Sequence, residues 1–392
     1  MSSERARTFR IAVRRFDAFE RHIAVAWRKF DSNLILEAVP FDFHPLHDTL
    51  FRDGGLADGS WDVALIGTDW IAEAPVTGCL ADLTPYLALS PPEGWPHAWS
   101  DSLLRFQRIN GRILGLPFHD GPECLVYRRD LFAAAGLEPP TTWTAFHHAA
   151  RQLSDPHHSR WGTAFAAYPD GHNTVYDCCL QYWTRGLEPF TADGRLQLNQ
   201  PGAAQALEWY RTMLRDAHAS HPRCRELDSV GLGLAFARGE LAMMVNWFGF
   251  AALAETGADS QVRGLVDIAP LPADPCPASL NSYWLLGIGA GSPHRDTAWR
   301  FLRFCASAEQ DRALTHAGAI GCRRSTWLDP EVNRQIPFYS RLEEFHAVAR
   351  ELPRLPDFAR QSAIIDRLMT AVISEDTSVS DLLARAQAEA GV

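Results

Sequence analysis

Apolar residues recur with two different spacings in the amino-terminal part of the chain. The segment Thr8–Arg14 contains a short apolar run and predicts a strand, and apolar side chains follow at helical spacing over residues 19–30. Further strands are predicted at residues 34–39 and 61–67, the second of which ends in a turn. Strands that alternate with helices in this order favour a parallel sheet.

Turn signals divide the middle of the chain. Asn110-Gly111 is a tight hairpin signal, so residues 104–109 and 112–116 are predicted to pair as strands. Proline and glycine residues at 117–122 predict a turn or loop, which another predicted strand follows at 124–127. Beyond residue 130 we expect strands at 161–167, 242–245 and 282–288. Helices are expected at 131–135, 144–153, 174–183, 201–214, 232–237 and 296–307.

Length and charge narrow the fold and the partners. The chain has 392 residues, which exceeds one comfortable hydrophobic core and fits two domains. Its net charge of -10 repels phosphate backbones, and no basic stripe interrupts the mixed charges. We therefore expect an α/β protein of two lobes that does not bind nucleic acid.

The cysteines and the start of the chain bear on its compartment. The eight cysteines form no Cys-x-x-Cys pair, so no metal site is expected, and scattered thiols suit a reducing compartment. Residues 1–10 lack the apolar core of a signal peptide, and no stretch reaches the roughly 18 apolar residues of a membrane span. We expect a periplasmic protein if a signal peptide has been removed, and a cytoplasmic one otherwise.

Four blocks of sequence, taken in order, form a recognisable set. They are residues 59–69 with Gly-Cys-Leu-Ala-Asp-Leu at 78–83, residues 110–117 through 127–132 with Pro-Pro-Thr-Thr-Trp at 139–143, Phe-Ala-Arg-Gly-Glu-Leu-Ala-Met-Met at 236–244, and residues 287–306. The set spans nearly the whole chain and resembles the extracellular solute-binding proteins of family 1, the receptors of sugar-importing ABC transporters.

The resemblance implies a periplasmic-binding-protein-like fold of type II, in which two lobes, each a mainly parallel sheet flanked by helices, close on a ligand. It places lobe 1 at residues 1–117 and 288–321 and lobe 2 at 122–283 and 326–392, with hinge crossings near 117–122, 282–287 and 321–325. The implied function is non-catalytic binding of a carbohydrate, polyol or sugar derivative, without a cofactor. The implied partners of this expected monomer are that ligand and the membrane permease subunits of an ABC importer.

A site for a sugar needs aromatic platforms for its C–H faces and polar groups that pair with its hydroxyls. Ligands of open parallel sheets gather beyond the carboxyl ends of strands, so Asn246 and Trp247 in one lobe and Asp69 and Trp70 in the other are candidate contacts. Asp17, which follows the first strand, is a further candidate. Simple packing of Trp247 and helix capping by Asp69 are the alternatives.

Other candidates lie at the expected crossings. His119 and Asp120 belong to the first crossing, where a plain turn is the alternative explanation. Tyr283 and Trp284 lie at the second, and the alternation of side chains along a strand predicts that one faces the ligand and the other the core. Arg323, at the third, has the right geometry for a carboxylate or sulfonate, but an exposed surface role explains it equally well.

One further passage of the second lobe combines polar and aromatic residues. It contains His172, Asn173 and Tyr176, residue types that suit hydroxyl groups and sugar faces. No predicted strand ends there, so its candidacy rests on residue type alone. We include His172 and Asn173 among the predicted ligand contacts.

Two other functions remain open. Thiamin-degrading and pyrimidine-forming enzymes share the implied fold, and Cys124, with His119 and Asp120 nearby in sequence, is the constellation that would provide a cysteine nucleophile. A thiol buried in a strand is the favoured explanation of Cys124. A cytoplasmic ligand sensor would explain the missing signal, although the sequence shows no appended effector domain. No nucleophile elbow or phosphate-binding glycine loop is found, so no catalytic residue is predicted.

Overall fold

The structure is a computed structural model that describes residues 7–355 and 357–391. The strands are β1 (Thr8–Arg14), β2 (Ile35–Phe41), β3 (Val63–Gly67), β4 (Arg108–Ile109), β5 (Arg112–Ile113), β6 (Leu116–His119), β7 (Glu123–Arg128), β8 (Met243–Trp247), β9 (Val266–Ala269), β10 (Ser279–Leu280), β11 (Trp284–Ile288) and β12 (Ala349–Arg350). Residues 1–6, on which the expectation about an export signal partly rests, lie outside the described residues.

Helices connect and flank these strands. The α-helices are α1 (Asp17–Lys29), α2 (Phe43–His47), α3 (Ala74–Thr77), α4 (Thr84–Leu89), α5 (Asp101–Phe106), α6 (Arg129–Ala135), α7 (Trp143–Leu153), α8 (Asn173–Trp183), α9 (Ala203–Arg215), α10 (Ser229–Ala237), α11 (Phe248–Thr256), α12 (Arg295–Cys305), α13 (Ala308–His316), α14 (Arg324–Trp327), α15 (Pro330–Gln335), α16 (Leu342–His346), α17 (Phe358–Ser374) and α18 (Val379–Ala390). A π-helical turn lies at Asp48–Arg52, and short 3-10 helices lie at Thr68–Glu73, Pro156–His158, Cys224–Glu226 and Tyr339–Arg341.

The chain divides into two compact units. The first contains residues 7–121, 282–343 and 354–355, and the second contains residues 122–281, 344–353 and 357–391. The crossing predicted at 321–325 falls inside the first unit, because the Asp311 carboxylate of α13 accepts hydrogen bonds from the backbone N–H groups of Cys322 (2.8 Å) and Arg323 (3.1 Å). Residues 282–287, predicted as another crossing, also belong to the first unit, where they lead into β11.

The first unit is built on a five-stranded sheet in the order β2-β1-β3-β11-β6. Strand β1 is parallel to β2 and β3, which confirms the direction predicted from the alternation of strands and helices. Strand β11 is antiparallel to both β3 and β6, so the sheet as a whole is mixed. Side chains of α1 and α12 cover it: Phe9 of β1 stacks on Trp27 at 4.7 Å, and Phe301 meets Trp27 edge-on at 5.2 Å.

The predicted hairpin of the first unit is present but shorter than expected. Asn110 and Gly111 have φ values of 49° and 78°, the left-handed conformation that this tight turn requires. Strands β4 and β5 pair on either side of the turn. The prediction of strand at residues 104–106 is wrong, because these residues lie in α5; so short an apolar run does not distinguish a strand from a helix.

The second unit contains a three-stranded sheet in the order β8-β7-β9, and both pairs are antiparallel. The prediction of a mainly parallel sheet is therefore wrong for this unit. Strands β7 and β8 are separated by residues 129–242, and a connection of that length leaves strand direction unconstrained by the crossover rule. The strand predicted at 161–167 is reduced to isolated bridges from Trp161 to Leu241 and from Thr163 to Ser220.

Helix α8 of the second unit begins at Asn173, one of the predicted ligand contacts. Its start is held by Asp170, whose Oδ1 accepts hydrogen bonds from the backbone N–H groups of His172 (2.9 Å) and Asn173 (3.0 Å). Helices α9 and α17 pack against it, and every residue of α8 except Asp177 is buried. This packing places its side chains rigidly.

Candidate functional site

Two strands of the first unit end, and a third begins, at one edge of its sheet. Trp284, the first residue of β11, lies opposite Gly67 at the carboxyl end of β3 and opposite His119 at the carboxyl end of β6. Both Trp284 and His119 are half-buried. The fold therefore brings together Trp284 and His119, which the sequence placed at two different expected crossings.

Aromatic rings pack at this edge, and we call Phe43, Trp70, His119 and Trp284 the first edge cluster. The ring of Trp70 lies 4.9 Å from that of Phe43 and 5.4 Å from that of Trp284, which it meets at 89°. Trp70 is only 6% exposed, whereas Phe43 and Trp284 are half-buried. Trp70 is therefore the buried tryptophan of the cluster, and Trp284 is its more exposed one.

His119 is held as a neutral base. Its Nδ1 accepts a hydrogen bond from the backbone N–H of Ile320 at 2.9 Å, and its ring lies 4.9 Å from that of Phe19. Burial lowers the pKa of His119 from 6.5 to about 4. Because Nδ1 is an acceptor, the proton of the neutral ring is on Nε2.

Asp69 and Tyr283 are engaged within the first unit. The hydroxyl of Ser282 donates to Asp69 Oδ1 at 3.1 Å, and both residues are half-buried. Tyr283 is 1% exposed and its hydroxyl donates to the backbone carbonyl of Leu103. Tyr283 thus occupies the core position that strand alternation predicted for one member of the Tyr283-Trp284 pair.

The other candidates of the first unit lie apart from the first edge cluster. Asp120 is fully buried, and its Oδ1 accepts from the N–H of Gly121 at 2.9 Å, as in a turn. Asp17 is exposed and pairs with Arg21 at 2.8 Å. Arg323 is 4% exposed and its guanidinium donates to the carbonyl oxygens of residues 306 and 93, at 2.7 and 3.0 Å. Ligand contacts by these three stay predictions.

A second group of side chains lies at the sheet edge of the second unit, and we call Glu123, His172, Tyr176 and Trp247 the second edge cluster. The Tyr176 ring lies 4.4 Å from His172 and meets the Trp247 ring at 5.3 Å and 85°. Trp247 is half-buried and is the last residue of β8, directly opposite Glu123, the first residue of β7. Strand β8 thus extends two residues beyond its predicted end.

Two predicted amides of the second unit have their hydrogen bonds satisfied locally. Asn246 is 3% exposed; its Nδ2 donates to the carbonyl of Ser229 at 3.0 Å, and its Oδ1 accepts from the N–H of Trp247 at 2.8 Å. The Nδ2 of Asn173 donates to Asp170 Oδ2 at 2.8 Å. Both amides have structural roles here, and ligand contact by either stays a prediction.

Sequence reasoning missed two carboxyl groups of the second unit. Glu123 is 6% exposed, and burial together with the nearby Asp177 carboxylate raises its pKa well above the usual value. Burial raises the pKa of Asp177 from 3.8 to about 7, although Tyr210 donates to its Oδ2 at 2.5 Å. The sequence contains one indication of the buried Glu123: this acidic residue directly precedes the apolar strand Cys-Leu-Val-Tyr.

The candidate nucleophile is poorly placed for attack. Cys124 is fully buried on β7, opposite Asn246. Within residues 7–355 and 357–391, no three His, Cys, Asp or Glu side chains form a group suited to a metal ion. No helix in this described part of the chain is long and apolar enough to cross a membrane.

Known proteins resemble this chain in sequence and in structure. The profile of the bacterial extracellular solute-binding protein family matches residues 46–312. A probable ABC transporter-binding protein of Deinococcus radiodurans is 24% identical, and a mannitol-binding protein of Pseudomonas aeruginosa is 23% identical; each alignment covers 91% of this chain and 85% of the relative.

Solved structures show the same fold. Maltose-bound MalE3 of T. maritima has a TM-score of 0.87 at 21% identity and matches 98% of this chain and 99% of its own. A solute-binding protein of Agrobacterium radiobacter in complex with ribitol has a TM-score of 0.87 at 24% identity, over 98% of both chains. These similarities confirm the fold class predicted from the sequence.

Proposed function

Because the chain belongs to the bacterial extracellular solute-binding protein family, we propose that it binds a polyol or a sugar without chemical conversion and delivers it to the permease of an ABC importer. The periplasm is the proposed compartment, and the chain is proposed to act as a monomer. The ligand class is supported by the relatives, whose names and bound molecules include mannitol, ribitol and maltose.

The observation that carries this proposal is the composition of the two edge clusters. Each combines a half-buried tryptophan with a hydrogen-bonding group whose charged form burial disfavours, Trp284 with His119 in the first unit and Trp247 with Glu123 in the second. A tryptophan face suits the C–H groups of a polyol, and uncharged donors and acceptors suit its hydroxyls. The buried position of Cys124 favours binding over cysteine catalysis.

The proposal is tested by calorimetric titration of the full chain with D-mannitol, ribitol and maltose. We expect saturable binding of at least one of them, and mass spectrometry should recover that ligand chemically unchanged. Trp284→Ala should weaken the binding at least tenfold. Trp161→Ala is the matched control, because Trp161 is also half-buried but packs on His221, at 4.3 Å, outside both edge clusters. Failure of all three ligands to bind, or recovery of a converted product, would contradict the proposal.

A further inference from the structure

Glu123 and Trp247 present their side chains on the same face of the second unit's sheet. They are direct partners in the antiparallel pair of β7 and β8, and directly opposed residues of such a pair point to the same side. The next pair, Cys124 with Asn246, therefore points to the other side, where Asn246 bonds to Ser229 of α10. Tyr176 of α8, in contact with Trp247, places that helix on the Glu123 side.

The Glu123 carboxyl group is buried without a complete set of hydrogen bonds. The residue is 6% exposed, yet its Oε2 has no hydrogen-bond partner within the described residues. The hydroxyl of Ser279 donates to the backbone carbonyl of Glu123, at 2.7 Å, and so does not satisfy the side chain. A buried polar atom of this kind destabilises a fold, so its retention calls for a role beyond folding.

The surroundings of Glu123 favour its uncharged form. Asp177 of α8 is the charged group that acts on it, and Asp177 in turn accepts a hydrogen bond from Tyr210 of α9. Two neighbouring carboxyl groups, one buried and one half-buried, do not both ionise readily. A protonated carboxyl group both donates and accepts a hydrogen bond, which matches the two capacities of an alcohol hydroxyl.

We propose that Glu123 is a specificity-determining residue of the ligand site, whose Oε2 hydrogen-bonds a hydroxyl of a neutral polyol or sugar that packs against Trp247. This inference rests on the proposed function and narrows its ligand class. An anionic sugar acid is disfavoured, because burying its carboxylate beside Glu123, which is 6% exposed, costs far more than burying a hydroxyl. The second edge cluster thus selects for neutral, hydroxyl-rich ligands.

Two substitutions separate a ligand role from a packing role. Glu123→Gln keeps a group that donates and accepts, and should hold the affinity for D-mannitol, ribitol or maltose within about threefold. Glu123→Met keeps the volume but removes both capacities; it should weaken binding at least tenfold and raise the Tm of the ligand-free chain. D-gluconate, which carries a carboxylate, should bind the wild-type chain at least tenfold more weakly than D-mannitol.

Glu255→Met is the matched control for the stability measurement. Glu255 is also 6% exposed in the second unit, but its carboxyl accepts from the backbone N–H groups of Gly264 (2.7 Å) and Val266 (3.2 Å), so its loss should lower the Tm. Equal loss of binding in Glu123→Gln and Glu123→Met would overturn the inference, as would a Glu123→Met variant of lower Tm with unchanged affinity.

The two proposals fail in different ways. If the wild-type chain binds none of the three neutral ligands, the proposed function fails for this ligand class. The stability measurement then decides on Glu123 by itself. A Tm of Glu123→Met above that of the wild type would support a carboxyl kept for a ligand outside the panel, and a Tm equal to or below it would overturn that role.

Discussion

The sheet edges of the two units share an aromatic surface but differ in their buried titratable groups. In the first unit burial lowers the pKa of two histidines, His22 and His119, to about 4. In the second unit burial acts on two carboxyl groups: the pKa of Asp177 rises to about 7 and that of Glu123 rises well above its usual value. The comparison shows that burial favours the uncharged form of hydrogen-bonding groups at both edges, of a base in the first unit and of acids in the second.

These shifts give the two histidines and the two carboxyl groups opposite responses to acid. A base with a depressed pKa takes up fewer protons when folded, so its contribution to stability is lost as the pH falls from 6.5 towards 4. An acid with a raised pKa takes up more protons when folded, so stability is gained as the pH falls from about 7 towards 3.8. Within the first unit His47 acts against this trend, because its hydrogen bond to Glu73 raises its pKa.

The largest effect on stability is expected at Trp70, the buried tryptophan of the first edge cluster, and not at the half-buried Trp284. Trp70→Ala should lower the free energy of unfolding by about 3–5 kcal/mol, because it removes a buried indole that contacts Phe43 and Trp284. Urea denaturation of the full chain measures the loss, with Trp284→Ala as the half-buried comparison. Equal stability of Trp70→Ala and the wild type would show that Trp70 does not hold the cluster together.

Trp247→Ala tests the corresponding position in the second unit. Removing a central aromatic contact commonly costs about 2 kcal/mol of binding free energy or more, so affinity for a verified ligand should fall roughly thirtyfold while the fold persists. Calorimetry and urea denaturation on the same variant make the measurement. A large loss of stability with normal binding by the folded fraction would assign Trp247 to the core and remove the parallel between the edges.

Asp177→Asn tests the acid response of the second unit. In the wild type, the opening free energy of amides in α8 should rise by about 2 kcal/mol between pH 7 and pH 5, because the folded state keeps a proton on Asp177. The asparagine variant should lose most of that rise. Hydrogen exchange of the α8 amides at pH 7 and pH 5, corrected for intrinsic rates, measures this opening free energy. A rise that persists in full would place the responsible proton elsewhere.

His22→Phe tests the opposite response of the first unit. His22 is 3% exposed and its Nε2 has no partner within the described residues, so the folded state resists its protonation. Amides in α1 should lose about 2 kcal/mol of opening free energy between pH 7 and pH 5, and the phenylalanine variant should lose less. Hydrogen exchange of the α1 amides, measured at both pH values as for α8, checks this. Identical losses in both proteins would contradict the assignment.

Asp17→Ala should have the smallest effect. Its exposed pair with Arg21, four residues along α1, contributes about 0.3–0.5 kcal/mol, and we expect no measurable change in ligand affinity. Calorimetry with D-mannitol provides the check. A clear loss of affinity would restore Asp17 as the ligand contact that strand position suggested, and would extend the first edge cluster towards β1.

Local patterns carried the successful predictions. Helical spacing located α1 and α7, and Thr142 caps α7 by accepting from the N–H of Ala145 at 3.1 Å. The strand-end rule led to Trp247, and strand alternation at an expected crossing led to Trp284; the structure places both in the edge clusters. The same rule also selected Asn246, whose side chain points away from Trp247 because neighbouring residues of a strand alternate.

Glu123 was missed for a physical reason. An acidic residue at the start of a strand is ordinarily solvated, and its burial depends on α8, which begins fifty residues later along the chain. Its raised pKa depends on Asp177, again a distant residue in sequence. Neither fact is encoded in the local pattern around residue 123.

The sequence by itself determined the features that depend on a few neighbouring residues: the turn at Asn110-Gly111, the order of the first strands and the family blocks. Tertiary structure decided the direction of the strands in the second unit, the choice of Tyr283 over Trp284 for the core, and the raised pKa of Glu123. Dihedral preference and capping act over one to four residues, whereas burial and charge interaction act between segments that only the folded chain brings together.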